Sequence, residues 1–290
     1  MKYEPYLEIY DFETTDLFDP EVTQVGLLTA DKNLDVLSLN SKYIKPKGKI
    51  SFPAIGITGI TPEMLENEKP YEEVMGDESY LASDEDVMYV ATYNWEFDKR
   101  FIPEHWLVGK KTICLLKLAR MLVDKQESGD HKLSTLWYYF GHYKDKDYGS
   151  AHCAKVDVMM TLDVLKSMLS KNNLTLDQAY SLLYDPTICK GGKKYERGTP
   201  WLEIVLKDYD YVNYVFNNTD TLSDEEKSYL EKLLSENEGV KLEQIKICTK
   251  KKHDGKLWED VVKEDCDYVN FLIQKGHLKG AELEYVESLM

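Results

Sequence analysis

Two carboxylates stand one residue apart at the end of an apolar, β-prone run, Ile9-Tyr10-Asp11-Phe12-Glu13-Thr14-Thr15-Asp16. Alternate residues of a strand point to one side, so Asp11 and Glu13 would set two hard oxygen donors together where the strand ends. Such a pair suits Mg²⁺ or Mn²⁺, which prefer oxygen ligands and keep several waters, provided that further carboxylates arrive from elsewhere. Alone, Asp-x-Glu is more often a solvated strand end, because 30% of this chain is charged. Two further stretches offer candidates. Asp98 falls in the first turns of a helix expected over 95–102, capped by Asn94 and preceded by a short buried strand at 87–91; ligands gather at such strand ends in α/β folds. His152 and Asp157 are about 140° apart round a regular helix. His152 is therefore expected on the entry loop and Asp157 on the helix, an arrangement that lets an imidazole reach over a metal-bound water.

The elements that must position these residues follow from pattern. Strands are expected at 22–28 and 34–44 with the turn Asp31-Lys32-Asn33 between them, giving an antiparallel meander in which the first strand is central. Thr61 and Pro62 open a short helix, and another covers 71–82. Residues 113–123 carry a helical apolar spacing, and a helix over 132–140 is stopped by Gly141. The last helix of this domain packs inward through Ala154, Val158, Thr161, Leu162, Leu165, Met168 and Leu169. Asn172-Asn173 ends the domain, and Thr175 with Gln178 forms a capping box for a linking helix. The expected division is 1–172, a linker over 173–186, and a C-terminal region over 187–290.

That region contains an internal repeat. Gly198, Trp201, Asp208, Asp210, Tyr211, Val212 and Asn213 recur at one constant offset as Gly255, Trp258, Asp265, Asp267, Tyr268, Val269 and Asn270. Each copy, about 187–218 and 246–276, reads as a basic hairpin followed by two helices, and Ser223 with Glu226 caps a helix between them. The repeated Trp and Tyr are expected as core rather than as base-stacking platforms.

With 43% hydrophobic and 12% aromatic residues the chain has the composition of a packed globular protein. No apolar run reaches the roughly 18 residues of a membrane span, so a soluble, cytoplasmic protein with no membrane partner is expected. Five cysteines without a C-x-x-C pair argue against both a disulfide framework and a zinc knuckle. A formal charge of -16 leaves any nucleic-acid contact to local basic patches at 42–49, 190–197 and 246–256.

Taken together, Asp11-Phe12-Glu13-Thr14-Thr15, Asn94-Trp95-Glu96-Phe97-Asp98 and His152-Cys153-Ala154-Lys155-Val156-Asp157 resemble the three exonuclease motifs of the DEDD superfamily in its histidine-bearing branch, which includes proofreading subunits, ribonuclease T and exonuclease X. Ile57-Thr58-Gly59-Ile60-Thr61 is similar to that family's G-I-T loop. The resemblance covers about residues 6 to 170. More loosely, Gly192-Lys193-Lys194-Tyr195-Glu196-Arg197-Gly198 is similar to the tail of exonuclease X-like proteins. Tyr93, Asp16 and Gln24 depart from the pattern, standing where His, Gly and Glu are frequent. His142 and Asp147 repeat the spacing of the third motif, but in a turn-rich run with no amphipathic helix after it.

The resemblance implies an α/β, ribonuclease H-like exonuclease fold, a mixed central sheet flanked by helices, with a smaller C-terminal α+β region built from a duplicated module. It implies a 3′-to-5′ exonuclease that cleaves phosphodiester bonds at single-stranded 3′ ends, with DNA the expected polymer. Two Mg²⁺ or Mn²⁺ would be held by Asp11, Glu13, Asp98 and Asp157, with Asp11 shared, and His152 would act as general base. Phe12, Thr14, Thr15, Leu17, Phe18 and Asn94 are candidates for contact with the terminal nucleotide, although core packing accounts for Phe12, Leu17 and Phe18 about as well. Lys45, Lys47, Lys193, Lys194, Lys251 and Lys252 are candidates for tracking the strand. The competing readings are a binding or scaffolding protein that recruits a partner through the repeats, and a ribonuclease of short oligonucleotides.

Overall fold

Strand β1 (Leu7–Thr14) divides its side chains between two cores. Leu7 and Ile9 enter one apolar cluster, Tyr10 and Phe12 the other, because successive residues of a strand face opposite ways. Asp11 and Glu13 thus project to the side of Leu7 and Ile9. On one flank, β2 (Val22–Ala30) pairs antiparallel with β1, and β3 (Val36–Tyr43) with β2. On the other, β4 (Tyr89–Thr92) and β5 (Lys111–Cys114) continue the sheet in parallel. The order β3-β2-β1-β4-β5 places β1 at the centre, and the sheet is mixed, as expected. This computed structural model describes residues 4–76, 87–146, 148, 152–190, 194–195, 197–219, 222–237, 246–278 and 280–290.

Three local expectations change. Ile113 and Cys114, assigned by spacing to a helix, are strand residues in register with Ala91 and Thr92, and the helix is Leu115–Leu122. Periodicity does not separate a short buried strand from the first turn of a buried helix. A helix that the pattern did not suggest, Phe52–Thr58, is capped by the Ser51 side chain, carries proline in its first turn and stops at Gly59 in the left-handed region (φ 70°). The helix opening at Trp95 is a single turn, Trp95–Asp98, followed by a 3₁₀ turn. The helix expected over 71–82 begins as Tyr71–Gly76, and its remainder lies outside the described residues.

The long helix Ala154–Lys171 crosses β1 and β2 and buries Val158, Leu162, Leu165, Met168 and Leu169 against them. Its first turn lies against the sheet at Gly26, the cross-strand partner of Asp11. A Cβ on Gly26 would stand 2.3 Å from the Ala154 carbonyl oxygen, so only glycine lets this helix start beside the carboxylates. Thr175 and Gln178 bond reciprocally, at 2.9 and 3.2 Å, to open Leu176–Tyr184. Leu176 and Ala179 of this helix, expected as a linker, are buried in the core beneath the sheet.

The chain divides into two compact units, Met1–Leu183 and Tyr184–Met290. Within the second, the helix pairs Trp201–Lys207 with Tyr209–Asn218, and Trp258–Glu264 with Cys266–Gln274, occupy matching positions. Gly198 and Gly255 share a φ of 82°. Among the described residues each expected hairpin shows one antiparallel bridge, Ile188 to Pro200 and Ile247 to Leu257. Lys194 pairs with Asp208 and sits over the Tyr211 ring; Lys252 pairs with Asp265 and sits over Tyr268. Trp201 and Trp258 are both core residues, as expected. No helix among the described residues is long and apolar enough to cross a membrane.

The contact at Gly26 generates a test. Gly26→Ala is expected to lower stability by about 1–3 kcal/mol in urea unfolding and to reduce turnover. Gly56→Ala, with no atom within 4 Å of the added carbon, is expected to be neutral or slightly stabilising.

Candidate active site

Parallel pairing sets Thr92, the last residue of β4, opposite Tyr10, so that β4 ends beside Asp11. The single-turn helix after β4 then delivers Asp98 to Asp11, and the two carboxyls feel one another's charge. Asp157 reaches the same place from the first turn of the long helix, where its backbone N–H donates to the Cys153 carbonyl at 2.9 Å. His152 precedes that helix, exposed and at a φ of 68°, an uncommon left-handed position for a residue other than glycine. Candidate ligand atoms of Glu13, His152 and Asp157 all lie within 4.8 Å of one another. The expected division, histidine on the loop and aspartate on the helix, is what is observed.

Like charges crowd this end of the sheet. Burial, then the charges of Asp98, Asp157 and Glu13, push the Asp11 carboxyl well above the ordinary aspartate range. Burial pushes Glu13 up to about 7, with Asp157 and Asp98 adding to it. Burial also raises Asp98 to about 7, against the pull of the Asn94 backbone and the Arg100 guanidinium. Asp157 rises to about 6 by burial, while the His152 side chain and backbone draw it down. Such a cluster relieves its own repulsion by holding protons or by holding a cation. The donor set is oxygen-rich, with one imidazole at its rim, and fits a hard divalent cation. Asp11, Glu13, Asp98 and Asp157 are the residues that would hold it.

The surrounding candidates sort by exposure. Phe12 is a correction. Its ring is 5% exposed and packs 5.5 Å from Phe101 on the face opposite Asp11 and Glu13, because odd and even residues of β1 face opposite sides. The Thr14 hydroxyl donates to the Asp16 carbonyl, and the Thr15 hydroxyl accepts from the Glu21 N–H. Both fix the turn that follows β1. Asp16 accepts from the backbones of Leu17 and Phe18, whose side chains are 74% and 98% exposed. Asn94 is exposed at its helix start and makes no side-chain cap.

The Lys45 ammonium donates to the Glu66 carbonyl at 2.6 Å, and Lys47 pairs with Glu72 at 2.7 Å. Lys194 and Lys252 are held in the pairs described above, Lys251 is exposed, and Lys193 lies outside the described residues. His142, of the second His–Asp spacing, bonds the Ser167 hydroxyl at 2.9 Å and stacks on Trp137; its partner Asp147 lies outside the described residues. Tyr93 is core and donates to the His131 carbonyl. Sequence reasoning missed the part played by Gln24, whose amide reaches Cys153 and Ala154. Its only signal was the departure from the glutamate frequent there.

Fold and site together are those expected of the histidine-bearing DEDD-type exonuclease family. The exonuclease family model of the ribonuclease T type matches residues 9–165, and the chain belongs to this family. Among relatives, it is 41% identical over 96 residues to the PolC-type DNA polymerase III of Thermotoga maritima, a match spanning 32% of this chain but 7% of that protein. It is 26% identical over 228 residues to exodeoxyribonuclease 10 of Escherichia coli K12, covering 76% of this chain and 94% of that protein. Among solved structures, one of exonuclease I shares the fold at a TM-score of 0.51 and 18% identity, over 62% of this chain and 43% of that one.

The raised carboxyls set a pH dependence. Each binds protons more tightly folded than unfolded, so the stability that it contributes is present below its unfolded value, near 4, and is lost as pH rises through 6 to 7. In metal-free protein the unfolding temperature is expected to fall between about pH 5 and pH 8 in calorimetric scans. Added Mg²⁺ is expected to raise it more at pH 8 than at pH 5, where protons compete for the same oxygens.

Proposed function

We propose that the chain removes nucleoside 5′-monophosphates one at a time from single-stranded 3′ ends, with DNA as its polymer. The observation that carries this reading is the convergence of Asp11, Glu13, Asp98, His152 and Asp157, which come from three distant stretches, at one end of the sheet. Asp11, Glu13, Asp98 and Asp157 would hold a pair of Mg²⁺ or Mn²⁺ ions. When bound, the ions polarise the scissile phosphodiester and offset the carboxylates' charge, which would otherwise repel it.

His152 is exposed at the rim and is itself in the left-handed region, at a φ of 68°. Its imidazole takes a proton from the attacking water. The hydroxide so formed adds to phosphorus, the bond to the 3′ oxygen of the preceding nucleotide breaks, and that oxygen takes a proton from solvent to become the new 3′ hydroxyl. Leu17 and Phe18, presented outward by Asp16, supply apolar surface for the terminal base. Preference for DNA draws support from the likeness to exodeoxyribonuclease 10, which extends over nearly all of that protein.

We read the two C-terminal segments as copies of one module. Their matching glycines, bridges and Lys–Asp pairs support that reading. Because Lys194 and Lys252 are engaged in these pairs, the tail fits a protein partner better than a phosphate track.

The experiment is degradation of matched 3′-labelled and 5′-labelled DNA and RNA oligonucleotides. Mononucleotide release from the 3′ end of DNA, abolished by EDTA and by Asp11→Ala without unfolding, is the expected result. Activity surviving Asp11→Ala would refute the site. In the wild type kcat is expected to fall toward acid pH, and His152→Ala to cut it by about 10²–10⁴-fold.

A further inference from the structure

On β2, Glu13 and Asp11 of β1 face Gln24 and Gly26 directly. Directly paired residues of an antiparallel sheet share a face, with Cβ atoms about 5 Å apart, so Gln24 stands on the catalytic side. It is 4% exposed. Its amide oxygen accepts from the backbone N–H of Ala154, the first residue of the long helix, at 3.0 Å. That N–H has no partner inside its own helix, and the Cys153 side chain does not cap it. Since the helix presents a donor, the amide oxygen must face it. The amide nitrogen then turns the other way, to the Ser41 hydroxyl at 3.1 Å and the Cys153 sulfur at 3.7 Å.

One neutral side chain thus ties β3, β2 and the start of the helix that supplies His152 and Asp157. Glutamate at this position would still accept from Ala154. It would lose the donors, however, and would add a negative charge opposite Glu13, whose carboxyl already suffers from its neighbours.

We infer that Gln24 is a positioning residue: by capping the long helix from the neighbouring strand it fixes His152 and Asp157 against Asp11 and Glu13. It touches neither substrate nor metal. The inference rests on the reading of the site given above. Leucine at position 24 fills nearly the same volume without any polar atom, and glutamate restores the acceptor alone.

The experiment compares Gln24→Leu, Gln24→Glu and His152→Ala with the wild type. It measures kcat and KM on a 3′-labelled DNA oligonucleotide, Mn²⁺ binding by calorimetry without substrate, and thermal unfolding. For folded Gln24→Leu, kcat is expected to fall roughly 10- to 100-fold with KM unchanged, and Mn²⁺ binding to weaken. Gln24→Glu is expected to recover most of the kcat at saturating Mn²⁺, since the cap is regained. Should Gln24→Leu fail to fold, recovery of turnover by Gln24→Glu carries the test by itself.

Wild-type kcat and Mn²⁺ binding in folded Gln24→Leu, beside an inactive His152→Ala, would overturn the positioning role alone. Wild-type turnover in both would overturn the reading of the site and this role with it. Equal loss of kcat in both Gln24 variants would mean that the acceptor is not what matters, and would also overturn it.

Discussion

Mutual repulsion among four carboxyls is the constraint to which the first unit is built. Asp98 and Asp157 raise the affinity of Asp11 and Glu13 for protons, and nothing in the acids' own interaction would bring them together. The sheet and the long helix hold them there. Leu7 and Ile9, one step along β1 from the acids, are fully buried in the same core as Val158, Leu162 and Leu165 of the helix. Hydrophobic burial of this kind is worth roughly 1.5–3 kcal/mol for each such side chain, and it anchors the acids at a spacing that they would not choose. A cation relieves what the fold imposes, so the tension in the apoprotein and its affinity for metal share one origin.

Residue type and spacing made the candidate site legible in the sequence. Asp11 and Glu13 are bound to share a face in any strand, and the five-residue step from His152 to Asp157 forbids a common direction on one helix. Both inferences needed only local geometry. Phe12 was ambiguous because an aromatic between two acids suits a core as well as a base; the second apolar cluster, formed with Phe101 and Trp106, decided it. Ile113 and Cys114 were misread because the helix after them continues their apolar spacing. The helix Phe52–Thr58 escaped notice because Pro53, Gly56 and Gly59 read as loop, although the first suits a helix's opening turn and the last its end.

Gln24 shows where local reading ends. Its side chain has meaning only once β1 and β2 are in register and the long helix has landed on Gly26, and neither fact can be read from neighbouring residues. The tail behaves differently. Its two aspartates, Asp208 and Asp265, were visible at repeated positions, but their pairing with Lys194 and Lys252, which lie one residue out of that repeat, was not.

The centrality of β1 also has a temporal side. Its neighbours in the sheet come from residues 22–30 and 89–92, and the remaining members of the cluster from 98 to 157. A ribosome therefore extrudes Asp11 well before Asp98 and Asp157, and the cluster is complete only when the last of them has followed. Until then the nascent chain carries Asp11 and Glu13 without the acids that complete their surroundings.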